Sequence, residues 1–201
     1  HTQLGASIGV SGIRFATLGC WSLSSELDNH KRLIQIFTTF YKYGEQEPFY
    51  VHAGRLGTCD PIEGVDMECY EKEKDVIMSW HRCIKRVDPD VILGYNILGF
   101  DLAYIWDRAV FTNCVDEFQY LGKLNDEKSF LETKVFSSNA YGHTESTHLN
   151  MPGRLMLDLY QIMKRDHKLE SYKLDKVAEH FLGEHKLDVP PKMIFELQQQ
   201  G

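Results

Sequence analysis

Apolar positions fall into short runs in the first third of the chain and into helical stripes afterwards. Ile13 to Leu23 reads as a strand. Leu33 to Phe40 (LIQIFTTF), rich in β-branched and aromatic residues, reads as another. Tyr41 to Pro48 contains Gly44 and polar residues and makes a turn, after which Phe49 to His52 returns as the hairpin partner. Arg55 to Asp66 is a loop of Gly, Pro and Asp. Glu71 to Arg86 is a helix, with Val76, Ile77, Trp80, Cys83 and Ile84 on one face. Its acidic first turn and its last-turn Lys85 and Arg86 suit the helix dipole. Asp88-Pro89-Asp90 breaks the chain. Val91-Ile92-Leu93 is a continuous apolar run, the pattern of a strand buried on both faces. Asp101 then opens a helix whose stripe is Leu102, Ile105, Trp106, Ala109 and Val110. Strand, short loop and helix make the basic α/β unit.

Residues 122–150 are polar and irregular and read as an excursion of loops, and Pro152-Gly153 is a turn. Leu155-Met156-Leu157 is a strand continuing into Leu159-Tyr160, followed by a short helix through Ile162, Met163 and Lys164. Ser171 can N-cap the next helix. Leu174, Val177, Ala178 and Phe181 would be its buried face, and Gly183 sits where a C′ glycine belongs. Pro190-Pro191 starts a final helix. The pattern predicts a mixed α/β architecture, strands early and βα units later, without internal repeats.

Composition narrows the function. The 201 residues fit one domain, or one domain plus part of another. No stretch of about 18 apolar residues occurs, so no membrane span is expected, and no signal peptide is visible. The five cysteines include no C-x-x-C pair, which argues against a disulfide framework or zinc knuckle and for a reducing compartment. The nine histidines form no metal-binding motif. A net charge of −7 argues against a domain whose main task is gripping nucleic acid. It leaves room for a nuclease, in which carboxylates recruit divalent metals that neutralise the substrate phosphate.

The most informative segment runs from Asp88 to Asp101, DPDVILGYNILGFD. A carboxylate after a buried strand is held rigidly at the rim of the sheet, where it can ligate a metal facing a cleft. The plainer reading of Asp101 is a helix N-cap. Phe100 can stack on the terminal base of a single strand or belong to the core, and Asn96 can be a simple turn residue. The phrase DPDVI-GYN-x3-FD resembles the second exonuclease motif of family B DNA polymerases. A second stretch agrees: Pro152 to Tyr160, Lys164 to Leu169, Ser171 to Asp175, and His180-Phe181-Leu182-Gly183 with Lys186 to Val189. It resembles the segment between the second and third exonuclease motifs of eukaryotic delta-type and related viral polymerases. Tyr43-Gly44, Ile62 to Asp66 and Pro191-Lys192 tilt the resemblance towards the large-DNA-virus branch.

This resemblance implies a ribonuclease-H-like mixed sheet of about five or six strands with flanking helices. It implies a proofreading 3′–5′ exonuclease that removes 3′-terminal nucleotides with two Mg²⁺ or Mn²⁺ ions. Asp101 would be the catalytic and metal-binding carboxylate, and Tyr95, Asn96 and Phe100 would bind the substrate. The partners would be the single-stranded 3′ end of DNA and the remaining polymerase domains, in the nucleus or at a cytoplasmic viral replication site. Counting back from Leu33, the first motif, Asp-x-Glu, should fall on Phe15-Ala16-Thr17-Leu18, where Ala16 and Leu18 cannot bind a metal. The nearest carboxylates, Glu26 and Asp28, lie in a polar, solvated stretch. Residues 1–32 therefore read as a poorly matched stretch, and residues 33–201 as a partial exonuclease domain. Tyr172-Lys173-Leu174-Asp175 has the wrong spacing for the third motif and is read as part of a helix. Asp158 reads as a structural strand-end residue, with a supporting role behind a metal ligand as the other reading. The chain, starting at His1 and ending at Gly201, reads as an excised piece that by itself hydrolyses no DNA. A non-catalytic scaffold or interaction module is the competing reading.

Overall fold

The computed structural model describes residues 14–23, 32–138 and 142–183. Strands β1 (Arg14–Leu23), β2 (Arg32–Lys42) and β3 (Tyr50–Leu56) form an antiparallel meander. β4 (Asp66–Tyr70) adds to the outer edge of β3 in parallel; it starts at the last residue of the predicted loop and runs through residues 67–70, to which the sequence pattern assigns no element. It is only five residues long and none of them is fully buried, so its sequence carries little apolar signal. On the other side of β1 lie β5 (Val91–Gly94) and β8 (Leu155–Asp158), both parallel to it, giving the order β4-β3-β2-β1-β5-β8. The apolar run Val91–Leu93 thus lies inside the sheet, with Val91 and Ile92, which point to opposite faces, both buried.

Helix α1 (Glu73–Val87) covers one face of β2, β3 and β4. Its predicted face is buried, and Trp80 at its centre donates from Nε1 to Thr38 Oγ1 on β2 at 3.1 Å, so the one polar atom of the ring is satisfied inside the core. The left-handed Asp88 ends the helix, its N–H returning to Ile84 O at 2.9 Å. Helix α2 (Leu102–Phe111) buries Leu102, Ile105 and Ala109 but leaves Val110 exposed and Trp106 half-buried, so its stripe is narrower than predicted. Arg108 and Glu73 tie α2 to α1 through two hydrogen bonds of 2.6 Å, and Glu73 Oε1 also accepts the Leu33 N–H at 2.9 Å. This buried pair therefore joins two helices and a strand. A short helix, α3 (Val115–Phe118), seats Phe118 against Trp80.

Residues 122–150 are not all loop. β6 (Phe130–Ser138) and β7 (Gly142–Asn150) form a separate antiparallel pair, in register from Phe130↔Asn150 to Ser138↔Gly142. At the described end of the pair Leu149 on β7 is buried while Phe130 on β6 is exposed. β8 stops at Asp158, and Leu159–Tyr160 belong to helix α4 (Leu159–Asp166) rather than to the strand. The reason is Asp158, whose carboxylate caps α4 by accepting the Tyr160 N–H. Helix α5 (Leu174–Leu182) starts after Lys173, so Ser171 is not its cap and Tyr172 precedes it. Ser171 Oγ instead accepts the Lys173 N–H at 3.4 Å. Gly183 ends α5 in the left-handed conformation, as predicted. Val177 is buried, but Leu174 is 46% and Phe181 43% exposed, so half of the expected apolar face is uncovered among the described residues. The expected helix at Pro190-Pro191 lies outside the described residues, as do Glu26 and Asp28.

Candidate functional site

The segment after β5 is shaped by two glycines. A Cβ on Gly94 would lie 2.4 Å from Ile97 Cγ2 and 3.2 Å from Leu18 O, so only glycine lets β5 end against β1. Asn96 then takes the left-handed conformation (φ 63°, ψ 24°), which asparagine tolerates better than most residues. Ile97–Asp101 form a π-helical turn, in which the Leu102 N–H reaches back to Ile97 O. A Cβ on Gly99 would stand 2.6 Å from Asn96 Oδ1, so the Asn96 side chain lies over this turn. Residues 97–101 also pack against β1.

Asp158, at the end of the neighbouring strand, fixes the same turn. Its carboxylate is 3% exposed. Oδ1 accepts the N–H groups of Asn96 at 2.8 Å and Tyr160 at 2.9 Å, and Oδ2 accepts that of Leu98 at 3.1 Å. One buried charge thus satisfies three backbone donors, two in the turn after β5 and one at the start of α4. This is a structural strand-end role, as the sequence reading has it. The cap signal was legible in the residue type; the two long-range partners were not.

Tyr95 is half-buried. Its hydroxyl donates to Tyr172 O at 2.5 Å, and its ring meets the edge of Tyr160 at 5.7 Å. Burial, then the nearby Tyr160 and Asp158, push its phenol above the ordinary value. Tyr95 therefore clasps the stretch between α4 and α5 to the end of β5. Asn96 and Phe100 are exposed, Phe100 by 47%. The Phe100 ring lies parallel to that of Tyr104, with 5.8 Å between centroids and 7° between planes. Asp101 is half-buried and has ordinary helical dihedrals, with no capping hydrogen bond from its side chain. Asp101 stands immediately before α2, where the sequence reading has the helix open, but its side chain does not cap it, so the N-cap reading is corrected here. The π turn has already begun the helix and already supplies carbonyl acceptors for the first N–H groups of α2.

The register of β1 decides which of its residues adjoin the turn. Phe15, Ala16 and Thr17 pair with Val91, Ile92 and Leu93, which brings Leu18 level with Gly94 at the start of the turn. The two positions at which the resemblance leads one to expect carboxylates thus lie on the strand adjoining the turn, and they hold Ala16 (0% exposed) and Leu18 (8%). Both belong to the apolar core cluster. Among the described residues, no three or more His, Cys, Asp or Glu side chains gather as metal ligands. A single carboxylate such as Asp101 is not a donor set that would hold two divalent ions, because Mg²⁺ surrenders its water reluctantly.

Two features escaped the sequence reading: the backing of Phe100 by Tyr104, and the clasp of Tyr95 on Tyr172. The first had a signal, two aromatic residues at the i, i+4 spacing. The second depends on a contact across 77 positions and had none. Beyond Tyr172 lies an open groove lined by Lys168, Lys173, Lys176 and His180, with Glu170 and Glu179 among them.

Residues 18–177 match the family described as DNA polymerase family B, exonuclease domain. The chain is 43% identical over 169 residues to the DNA polymerase delta catalytic subunit of Oryza sativa subsp. japonica, covering 84% of this chain and 15% of that protein. The corresponding subunit of Candida albicans is 41% identical over 169 residues, 84% of this chain and 16% of that protein. That of Mesocricetus auratus is 42% identical over 166 residues, 83% of this chain and 15% of that protein. The chain therefore spans about 15% of the length of these relatives. They are eukaryotic, and lend no support to the tilt towards the large-DNA-virus branch.

Proposed function

The chain belongs to the family B DNA polymerases, in the exonuclease domain, and from that premise we propose that it contributes the single-strand-binding cleft of a proofreading 3′–5′ exonuclease in a delta-type replicative polymerase. Its fold is the ribonuclease-H-like one that this family uses. The observation that carries the proposal is the turn Asn96–Asp101. A buried carboxylate, the sterically required Gly94 and a neighbouring strand hold it so that an exposed aromatic ring adjoins a half-buried aspartate at the rim of the sheet.

In this reading Phe100 stacks on the terminal base of a single-stranded 3′ end, since base–aromatic stacking is indifferent to sequence. Asn96 and Tyr95 shape the wall beside it, and Asp101 faces the terminal phosphodiester. The chemistry of the family rests on divalent ions, which supply a metal-bound nucleophile and neutralise the leaving oxygen. The residues present do not fit such a pair of ions, because Ala16 and Leu18 stand where carboxylates are needed. The proposal for this chain is therefore binding without hydrolysis. The remaining polymerase domains would be its partners in the intact protein, and the nucleus its place of work. No helix among the described residues is long and apolar enough to cross a membrane.

The test is fluorescence anisotropy with a labelled single-stranded oligonucleotide at low salt, together with an assay for released mononucleotides in Mn²⁺. Binding that is weakened by Phe100→Ala and absent for blunt duplex is expected, with no nucleotide released. Equal binding of single strand and duplex, unaffected by Phe100→Ala, would overturn the cleft assignment. Release of nucleotides abolished by Asp101→Ala would overturn the claim of non-hydrolysis.

A further inference from the structure

Phe100 can serve as a stacking surface only if its ring is held, and an exposed phenylalanine on a helix surface is free to rotate about two torsions. Tyr104 answers this need. It lies one turn further on, at the i, i+4 spacing that brings side chains together on a helix. It is only partly exposed and packs against the apolar core cluster. Its other side meets the Phe100 ring in a parallel, offset arrangement, 5.8 Å between centroids and 7° between planes. One ring is anchored in the core, and the second rests on it and projects into solvent. A parallel offset pair is a favoured aromatic geometry, so the stack selects one orientation of the outer ring.

We propose that Tyr104 is a positioning residue for the terminal base: it fixes the plane of Phe100, and through Phe100 the plane in which the last base of a single-stranded 3′ end stacks. It touches neither the base nor the phosphodiester. Its ring is the working part, so phenylalanine can replace it, whereas an aliphatic side chain can fill the space but cannot set the plane. The inference rests on the reading of Phe100 as a base-stacking residue.

The experiment uses the full chain and oligonucleotides carrying 2-aminopurine either at the 3′ terminus or at an internal position. The fluorescence of 2-aminopurine falls when the base stacks, so it reports stacking separately from binding, which anisotropy measures on the same samples. The wild-type chain is expected to quench the terminal probe more than the internal one. Tyr104→Leu and Tyr104→Ala are expected to lose most of that extra quenching and to bind about 2- to 10-fold more weakly, the range that a lost aromatic pair supports. Tyr104→Phe is expected to restore both. Thermal unfolding of Tyr104→Leu, which keeps a bulky apolar group against the core, identifies folded samples. If Phe100→Ala abolishes the terminal quenching while Tyr104→Leu retains it in full, the positioning role is refuted and the stacking role of Phe100 stands. If the wild-type chain at saturation quenches neither probe, the stacking role of Phe100 fails, and this inference with it.

Discussion

Replacing Asp158 by asparagine removes one charge and one acceptor while preserving shape. In the wild-type chain three backbone N–H groups, those of Asn96, Leu98 and Tyr160, end on the two carboxylate oxygens within 3.1 Å. The amide oxygen of asparagine can keep the two donors now on Oδ1. The amide nitrogen then takes the place of Oδ2 and confronts the Leu98 N–H, donor against donor. A hydrogen bond to a charged group contributes about 1.5–3 kcal/mol, and a buried N–H left unpaired costs about 1–3 kcal/mol. The two surviving bonds also lose their charge assistance. Against this, the variant no longer buries a carboxylate that is 3% exposed. The balance is a loss of about 2 kcal/mol. For a domain of this size that is a fall of about 4–8 °C in Tm. Urea unfolding should show a lower midpoint at unchanged slope. Amide exchange should show where the loss arises: protection at Leu98 should fall well beyond the global change, while Trp80 and Ile84 in α1 follow the global change only. An unchanged midpoint, or a Leu98 amide as protected as before, would refute the claim that this carboxylate holds the turn.

Other perturbations read other parts of the molecule. Glu73→Gln breaks the buried bidentate pair with Arg108 and strands a guanidinium that is largely buried, so it should cost about 3–5 kcal/mol in urea unfolding; a cost below 1 kcal/mol would mean that the pair is dispensable. Burial holds the His52 and His81 imidazoles below the ordinary value of 6.5, against the pull of Glu68 and Asp66 on His52 and of Glu117 on His81. Below that value the unfolded chain binds protons that the folded chain refuses, so stability is fully present above pH 6.5 and declines as the pH falls through it. Tm measured from pH 8 to 5 should decrease, and less steeply in His52→Gln; a flat profile would contradict the burial argument. The double variant Ala16→Asp, Leu18→Glu places carboxylates in the core cluster beside the turn, and without metal should lose about 3–5 kcal/mol as uncompensated buried charge. Mn²⁺ at about 100 times its dissociation constant should return roughly 2.7 kcal/mol to that variant and nothing to the wild type. If calorimetry finds no gain in Mn²⁺ affinity, the register assigned to the first motif is wrong.

The parts of the fold that the sequence reveals are those where one residue type serves one environment. Val91–Leu93 is apolar throughout because it is a central strand whose successive residues, Val91 and Ile92, are buried on opposite faces, and α1 shows its stripe because the sheet covers it. The pair β6 and β7 stayed hidden because its sequence, FLETKVFSS and GHTESTHLN, is mostly polar and holds no apolar run. α5 misled in the opposite sense, since its apolar face is a real pattern whose Leu174 and Phe181 remain uncovered among the described residues. At the site, Asn96, Phe100 and Asp101 could be singled out because their spacing after a strand is distinctive. The π turn that orients them could not, since nothing local distinguishes a five-residue reach from a four-residue one. The clue was Gly99, which only the folded geometry explains.

Between Asn96 and Leu102 the chain reconciles two fixed phases. The sheet and Asp158 set the direction in which the backbone leaves β5, and the core contacts of Leu102, Ile105 and Ala109 set the rotation of α2 about its axis. The π turn holds one residue more than an α turn, and each helical residue advances the phase by about 100°. That surplus residue is a phase shifter between sheet and helix. The aim of Phe100 and Asp101 is then governed by the count of residues in the turn more than by their identities. Deleting Leu98 would swing them about a quarter-turn, a change that no substitution in the turn can reproduce. The length of the turn is therefore as strict a requirement as the Gly99, Phe100 and Asp101 within it.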